Sequence, residues 1–368
     1  MGQDPKERVR HEAARILGAG VAGQVFPGGV ACMSWRDGDE TVYVEVASGR
    51  VRAGEAAVKV ATPYDLASLT KPVVAMAALR LVAAGKLSLD TRTDTVVTDV
   101  RGGVGGAATL EALLTHQAGL AGWGGLYLDV PHDAGTPAAR RWILSEASRR
   151  PADDPGPEYS DLGYLIAGEV IARASGEKLD KTVAREVTEP LGISQELYYA
   201  AALPPDRRAQ VAREAAPTEQ CEWRGRLIRG EVDDENCAAF GGVAGHAGMF
   251  GTAHGVAVFG RTILDALLGR NEFLPKDLLD RALAPRPGTT MRLGWDTKNP
   301  DGTSSAGRRL SDQSFGHLGF TGTSLWCDPV RDLVIVLLTN RVHPSRANER
   351  IKGFRPGFHD GVIAALGQ

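Results

Sequence analysis

Strand-like patterning in this chain is confined to its two ends, and a long helical stretch separates them. Residues 28–36 (GGVACMSWR) and 41–48 (TVYVEVAS) are rich in β-branched and aromatic side chains. Asp37, Gly38 and Asp39 lie between them, so the pair reads as a hairpin. Strand character returns only at 314–329 (SFGHLGFTGTSLWCDP) and 332–341 (DLVIVLLTNR). Between the ends, apolar residues recur at helical spacing in 72–85, 109–117, 138–150, 161–175 and 255–269, with Gly-, Pro- and Asp-rich loops between. An amphipathic helix ending at Gly18 or Gly20 is expected first, and a short helix over 359–367 last. The order predicts an α+β chain: residues 1–61 and 285–368 together build a sheet, and 62–284 form a mostly helical insertion. Short connections between the late strands favour antiparallel pairing. Together the two regions make one unit over 1–368.

Composition narrows the function classes. With 42 Lys+Arg against 45 Asp+Glu, the formal charge of −3 gives no bulk electrostatic case for nucleic acid or an anionic membrane surface. Hydrophobic residues at 43% and charged residues at 24% are those of a globular chain, which excludes a disordered or fibrous protein. Cys32, Cys221, Cys237 and Cys327 are scattered, as reduced structural cysteines are, and make no zinc or disulfide framework. No apolar run reaches membrane-spanning length, and the charged N-terminal segment lacks the apolar core of a secretion signal. The expectation is a cytoplasmic protein beginning at or near Met1, with no oligomeric state implied.

Several motifs fail on their context. Gly18-Ala19-Gly20-Val21-Ala22-Gly23 matches a dinucleotide fingerprint, but it ends a helix instead of following a strand. The esterase elbow fails because Trp326 stands where its last glycine belongs. His132, Asp133, Asp233, Asp234, His246 and His254 have no metal-ligand spacing, so no metal and no cofactor is expected.

Ser68-Leu69-Thr70-Lys71 is different. It sits where a loop enters the apolar helix that includes Pro72, a residue tolerated in a first helical turn. The Ser68 hydroxyl would face the positive helix end, and Lys71 would lie over the same face, within its reach. Burial of that helix would depress the Lys71 pKa and suit it to act as a base. A second S-x-x-K, Ser175–Lys178, falls at a helix end where Gly176 is a natural C-cap, and reads as a surface turn. Tyr159-Ser160-Asp161 displays a phenol at a helix entrance, and His317-Leu318-Gly319 starts a strand with small residues.

S-x-x-K, then Y-x-[ND], then [KH]-x-G, in that order, resembles the motif set of the serine β-lactamase-like superfamily: class C β-lactamases, D-alanyl-D-alanine peptidases and related carboxylesterases. DLASLTK, LLTHQAGL, YSDLGYLIAGE, GGVAGHAGMF, LGWDT, FGHLGFTGTSLWCDP and LLTNRVHPSR extend the resemblance along nearly the whole chain. It implies an antiparallel sheet flanked by helices, a helical domain, and a site in the cleft between them. It further implies Ser68 as nucleophile, Lys71 as its activating partner, Tyr159 as proton relay, and the N–H groups of Ser68 and Phe320 as an oxyanion hole. Asp161, His317, Gly319, Thr321 and His246 would contact substrate. The implied reaction is hydrolysis of a small ester, amide or peptide (a β-lactam, D-amino-acid peptide or short-chain ester) through an acyl-serine. The alternative is a penicillin-binding or sensor protein of the same fold that does not turn over.

Two positions depart from the family pattern. Asp161 stands where the β-lactamases usually have Asn, and an ionised carboxylate cannot donate to a substrate carbonyl. It also favours the charged form of Lys71, opposing its use as a base. His317 stands where Lys is usual and offers only partial positive charge to a substrate carboxylate. Both changes disfavour β-lactam turnover while leaving acyl-enzyme chemistry intact. His116 reads as a buried hydrogen-bonding residue at a helix end, His246 as either cleft-lining or structural, and Asp234, Glu235 and Asn236 as loop contacts.

Overall fold

A computed structural model describes residues 4–154 and 156–367; residues 1–3 of the expected N-terminal helix, Pro155 of the turn before Tyr159, and residue 368 lie outside the described residues. The strands are β1 (Gly28–Asp37), β2 (Glu40–Gly49), β3 (Tyr64–Asp65), β4 (Leu197–Tyr199), β5 (Gln220–Cys221), β6 (Arg226–Leu227), β7 (Met249–Gly251), β8 (Asp296–Thr297), β9 (Phe315–Leu318), β10 (Ser324–Asp328) and β11 (Leu333–Thr339). β1 and β2 form the expected hairpin, with Gly38 at φ +61° in its turn, a conformation glycine adopts without steric cost. The main sheet runs β2-β1-β11-β10-β9-β8, antiparallel throughout. β1 pairs with β11 from Gly29↔Thr339 to Trp35↔Leu333, which closes the chain ends into one sheet.

Both faces of this sheet are buried, and the strand period of two sorts its side chains. Val30 and Cys32 of β1, with Val334, Val336 and Leu338 of β11, enter the core shared with the helix Ala253–Leu267 and the helical region. Ala31, Met33 and Trp35, with Leu333, Ile335 and Leu337, enter a second core under the helices Pro5–Ala22 and Ile351–Leu366. The result is helix, sheet and helix in layers, an α+β arrangement.

Several boundaries differ from expectation. The first helix runs through Gly18 and Gly20 to Ala22. A Cβ on Gly20 would lie 2.6 Å from Phe26 and 2.8 Å from Phe354, so this glycine permits close packing and caps nothing. The last helix begins at Ile351, earlier than expected, and carries Pro356 within it. The helix expected over 109–117 shrinks to Leu110–Leu114, and His116 beyond it takes a φ of +58°. Two small sheets, β3-β7-β4 and β5-β6, interrupt the helical region; strands of two or three residues show no period in a sequence. The four cysteines are free and buried. Among the described residues, no helix is long and apolar enough to cross a membrane.

One glycine couples the helical region to the site. The Gly245 Cα faces the helix Asp161–Ser175, where an added Cβ would lie 2.0 Å from the Tyr164 carbonyl oxygen and 2.9 Å from the Gly168 nitrogen. Both obstacles are backbone, so the helix itself would have to move. Gly245→Ala should therefore destabilise the fold by about 2 kcal/mol or more. Gly353 is exposed with open space around it, and Gly353→Ala should be neutral or stabilise by up to about 1 kcal/mol. Urea unfolding of the two variants checks both outcomes.

Candidate active site

Ser68 lies in a single 3₁₀ turn, Ala67–Leu69, that leads from β3 into the helix Thr70–Ala83. Ala67 holds a φ of +47°, an unfavourable region for a residue with a Cβ. Asp65 holds the turn by accepting a hydrogen bond from the Ala67 N–H at 2.8 Å. The following helix is apolar on nearly all sides and buries Lys71 completely. The Lys71 Nζ donates to Ser68 Oγ at 2.8 Å, to Asp161 Oδ1 at 2.5 Å and to the His246 carbonyl at 3.4 Å.

Burial alone would lower the Lys71 pKa, as the sequence suggested. The Asp161 carboxylate and the Tyr159 hydroxyl more than offset that, and the pKa is raised instead. Lys71 is therefore an ammonium at neutral pH, which corrects the expectation that burial makes it a base.

Tyr159 and Asp161 are set by the start of the helix Asp161–Ser175. Ser160 caps that helix, accepting from the Gly163 N–H at 3.0 Å and donating to the Ala121 carbonyl at 2.7 Å. Its own N–H donates to His116 Nδ1 at 2.8 Å. Burial, with the nearby Lys71 charge, holds the His116 pKa well below the ordinary imidazole range, so the ring is neutral and can accept. His116 also stacks on Tyr159, centroids 4.5 Å apart. It is thus the buried hydrogen-bonding residue expected, and it orients the phenol. The Tyr159 hydroxyl interacts electrostatically with both Lys71 and Ser68, and the Lys71 Nζ lies 4.8 Å from its ring centroid. Desolvation raises the Tyr159 pKa against the opposing pull of Lys71, so the resting group is a neutral phenol.

The third wall is the turn between β9 and β10. Gly319 lies so close to the Leu66 carbonyl that a Cβ would be 2.5 Å from it. Thr321 donates to the Asp65 carbonyl at 2.7 Å and Thr323 to the Leu66 carbonyl at 3.1 Å. These contacts clamp the turn to the segment just before Ser68 and bring Phe320 to the same cleft. Among the described residues, neither the Ser68 N–H nor the Phe320 N–H donates to any acceptor. Gly319 and Thr321, expected to touch substrate, take part in this clamp and are not among the residues that line the cleft. Thr321 is buried and its hydroxyl is engaged.

His317 also departs from its expected role. Its Nδ1 sits 2.8 Å from the Leu318 carbonyl, and burial beside the Lys71 charge depresses its pKa to about 3. A neutral ring at physiological pH brings no positive charge to a substrate carboxylate, which corrects the expectation of a partial one.

The cleft holds about 310 Å³ and is lined by Ser68, Asp161, Phe320 and His246, with Trp123 and Arg346 at its walls. His246 Nε2 is 3.0 Å from Asp234 Oδ1, and Asp234 also caps the helix Glu235–Phe240. His246 is therefore cleft-lining. Asn236 makes the expected loop contacts, to the Tyr127 N–H at 3.1 Å and the Gly124 carbonyl at 2.7 Å. Asp65, Trp123, Asp233 and Arg346 were not singled out as site residues in the sequence. Asp65 stands three residues before Ser68, and that adjacency was the available signal.

The arrangement combines a hydroxyl, an ammonium, a phenol and two unengaged N–H donors at one cleft. Such a group can move a proton off the hydroxyl and stabilise a developing oxyanion. The family model Beta-lactamase matches residues 13–354. The chain is 30% identical over 352 residues to the N-acetylmuramyl-L-alanine amidase of Bacillus subtilis (strain 168), covering 84% of this chain and 77% of that protein. It is 29% identical over 325 residues to a putative D-alanyl-D-alanine carboxypeptidase of Salmonella agona (strain SL483), covering 79% and 72%. Among solved structures it resembles EstCE1, a hydrolase with promiscuous acyltransferase activity, with TM-score 0.74, 18% identity, and 97% and 99% of the two chains covered.

Asp65 gives the site a pH signature. It is buried beside Asp233, and desolvation with that like charge pushes its carboxyl from 3.8 up to about 7. The folded state then keeps a proton that the unfolded chain releases near pH 4. This contribution to stability is complete below that pH and is lost as pH rises through about 7. The melting temperature should fall between about pH 5 and pH 8, and Asp65→Asn should flatten that slope; a melting series against pH measures both.

Proposed function

The chain belongs to the beta-lactamase family and is a serine hydrolase of esters or amides, and on that footing we propose that Ser68 is the nucleophile, Tyr159 the proton relay, and Lys71 a fixed ammonium that orients both. The observation that carries this reading is the Ser68 hydroxyl itself, 2.8 Å from the Lys71 Nζ, with the Tyr159 phenol beside both. Because Lys71 donates to Oγ, the Ser68 proton is directed to the phenol. As the Oγ–carbon bond forms, that proton passes to the Tyr159 oxygen in the same movement in which the phenol gives up its own, so the oxygen never holds two. The phenol's own proton passes to the departing nitrogen or oxygen as the scissile bond breaks. The ammonium beside the ring stabilises phenolate character during the transfer. The N–H groups of Ser68 and Phe320, otherwise unengaged, receive the carbonyl oxygen as it becomes an oxyanion. Water then attacks the acyl-serine, losing a proton through Tyr159 as Ser68 regains its own, and the acid product leaves.

Amide substrates agree with the names of the two relatives, an amidase and a carboxypeptidase. With His317 neutral, the site holds little attraction for a substrate carboxylate. That favours esters and amides without one over β-lactams.

Ser68→Ala should abolish the acyl adduct seen by intact mass with an activated ester, and should reduce turnover by about 10³-fold or more. Ser175, whose hydroxyl is 2.9 Å from the Ala172 carbonyl and 2.6 Å from Thr182 Oγ1, should tolerate Ala without loss of activity. Equal activity of Ser68→Ala and the unmodified chain would refute the assignment. An adduct that persists without product release would instead make this a sensor. Tyr159→Phe keeps the ring stacked on His116 but removes the relay, so turnover should drop by about 10²–10⁴-fold with the unfolding midpoint unchanged. Activity within a few-fold of the unmodified chain would move the relay to another group.

A further inference from the structure

The cleft around Ser68 is built of hydrogen-bond acceptors. Asp161, Asp233, Asp234 and Glu235 line it, against Arg346 as the single lining cation among the described residues. Arg346 is already engaged by both Glu219 and Glu235. Lys71, behind the wall, is engaged by Asp161. The Oδ1 atom of Asp161 faces Lys71 and the Oδ1 atom of Asp234 faces His246, while their Oδ2 atoms make no hydrogen bond among the described residues.

A second observation is independent of this carboxylate count. Asp233 is 3% exposed, and its Oδ1 has no partner. His246 is 2% exposed, and its Nδ1 has none either. An unsatisfied buried acceptor costs free energy unless a donor reaches it. Asp233 shows that cost: burial beside Glu219 and Glu235 pushes its carboxyl up to about 6 despite the opposing charge of Arg346.

Resting on the acyl-serine reading above, we propose that this cleft recognises a protonated primary amine close to the scissile carbonyl. The substrates are then amides or esters of amino acids, or short peptides, with an unblocked amino group. An ammonium offers three donors and a full charge to a set of groups that can only accept. The apolar part of such a substrate would lie along Trp123 and Phe320, which are 47% and 48% exposed at the cleft. A volume of about 310 Å³ suits one amino-acid-sized group.

The test compares leucine p-nitroanilide with N-acetyl-leucine p-nitroanilide on the full chain, each enantiomer separately, with p-nitrophenyl butyrate as the ester control. The free amine should give a kcat/KM about 10-fold or more above its acetylated counterpart for at least one enantiomer. Asp233→Asn and Asp234→Asn should bring that ratio toward one. Both side chains also support the loop, so inhibition of butyrate hydrolysis by benzylamine and by benzyl alcohol is measured on the unmodified protein. The cation should bind about 10-fold or more tightly than the alcohol. Equal or better turnover of the acetylated anilides, or equal inhibition by the two compounds, overturns the proposal. Ser68-dependent cleavage of the butyrate without such discrimination overturns it and leaves the acyl-serine reading standing. No Ser68-dependent turnover of any compound overturns both.

Discussion

A buried ammonium facing a carboxylate organises the rest of the site. Lys71 is fully enclosed, and stripping water from such an ion costs several kcal/mol before any partner is counted. Asp161 at 2.5 Å supplies the compensating charge, and Ser68 and the His246 carbonyl take the remaining donors. Because the cost is so large, the partners must stay where they are. The pair therefore fixes the entrance of the helix Asp161–Ser175 against the helix Thr70–Ala83. Removing one partner of a buried pair typically costs about 3–5 kcal/mol, so the junction has little freedom to relax.

That junction is reinforced from two further directions. His116 accepts from the Ser160 N–H and stacks on Tyr159, so the residue that holds the capping Ser160 also aims the phenol. Across the cleft, Thr321 and Thr323 donate to the carbonyls of Asp65 and Leu66, and Arg355 donates to the carbonyls of Gly319 and Thr323 at 2.9 and 2.8 Å. The C-terminal helix thereby braces the turn that carries Phe320. The positive φ of Ala67 persists because Asp65 and this clamp over-determine the turn. Preorganisation of this kind places donors where charge develops, instead of requiring them to move there.

The charge states show how far motif reading reaches. S-x-x-K, the Tyr-Ser-Asp segment and the His-Leu-Gly strand could be found by spacing, and their order along the chain identified the resemblance. Their protonation could not be found that way. Lys71 seemed a base on burial alone, yet Asp161, 90 residues away in sequence, outweighs the desolvation. His317 seemed partly cationic, yet its depth and the Lys71 charge leave it neutral. Thr321 lay in the right segment to meet substrate, but its hydroxyl serves the Asp65 carbonyl. In each case the deciding neighbour comes from another part of the chain.

Local patterning by itself determined the hairpin of β1 and β2, the long helices and the sheet assembled from both chain ends. The physical reason is that a period of two or of 3.6 records which face of an element must be buried. Local signals also placed Ser68 at a helix start and Tyr159 beside a helix cap. Tertiary structure alone decided what the short segments do. β3, β4 and β7 are too short to carry a period, and they form only because the fold brings them together. Tertiary structure likewise decided that Gly20 is a packing residue and not a cap, that Lys71 keeps its proton, and that Asp233 enters the cleft with an acceptor unpaired. Desolvation and Coulomb interactions depend on distance through space, and a sequence records only distance along the chain.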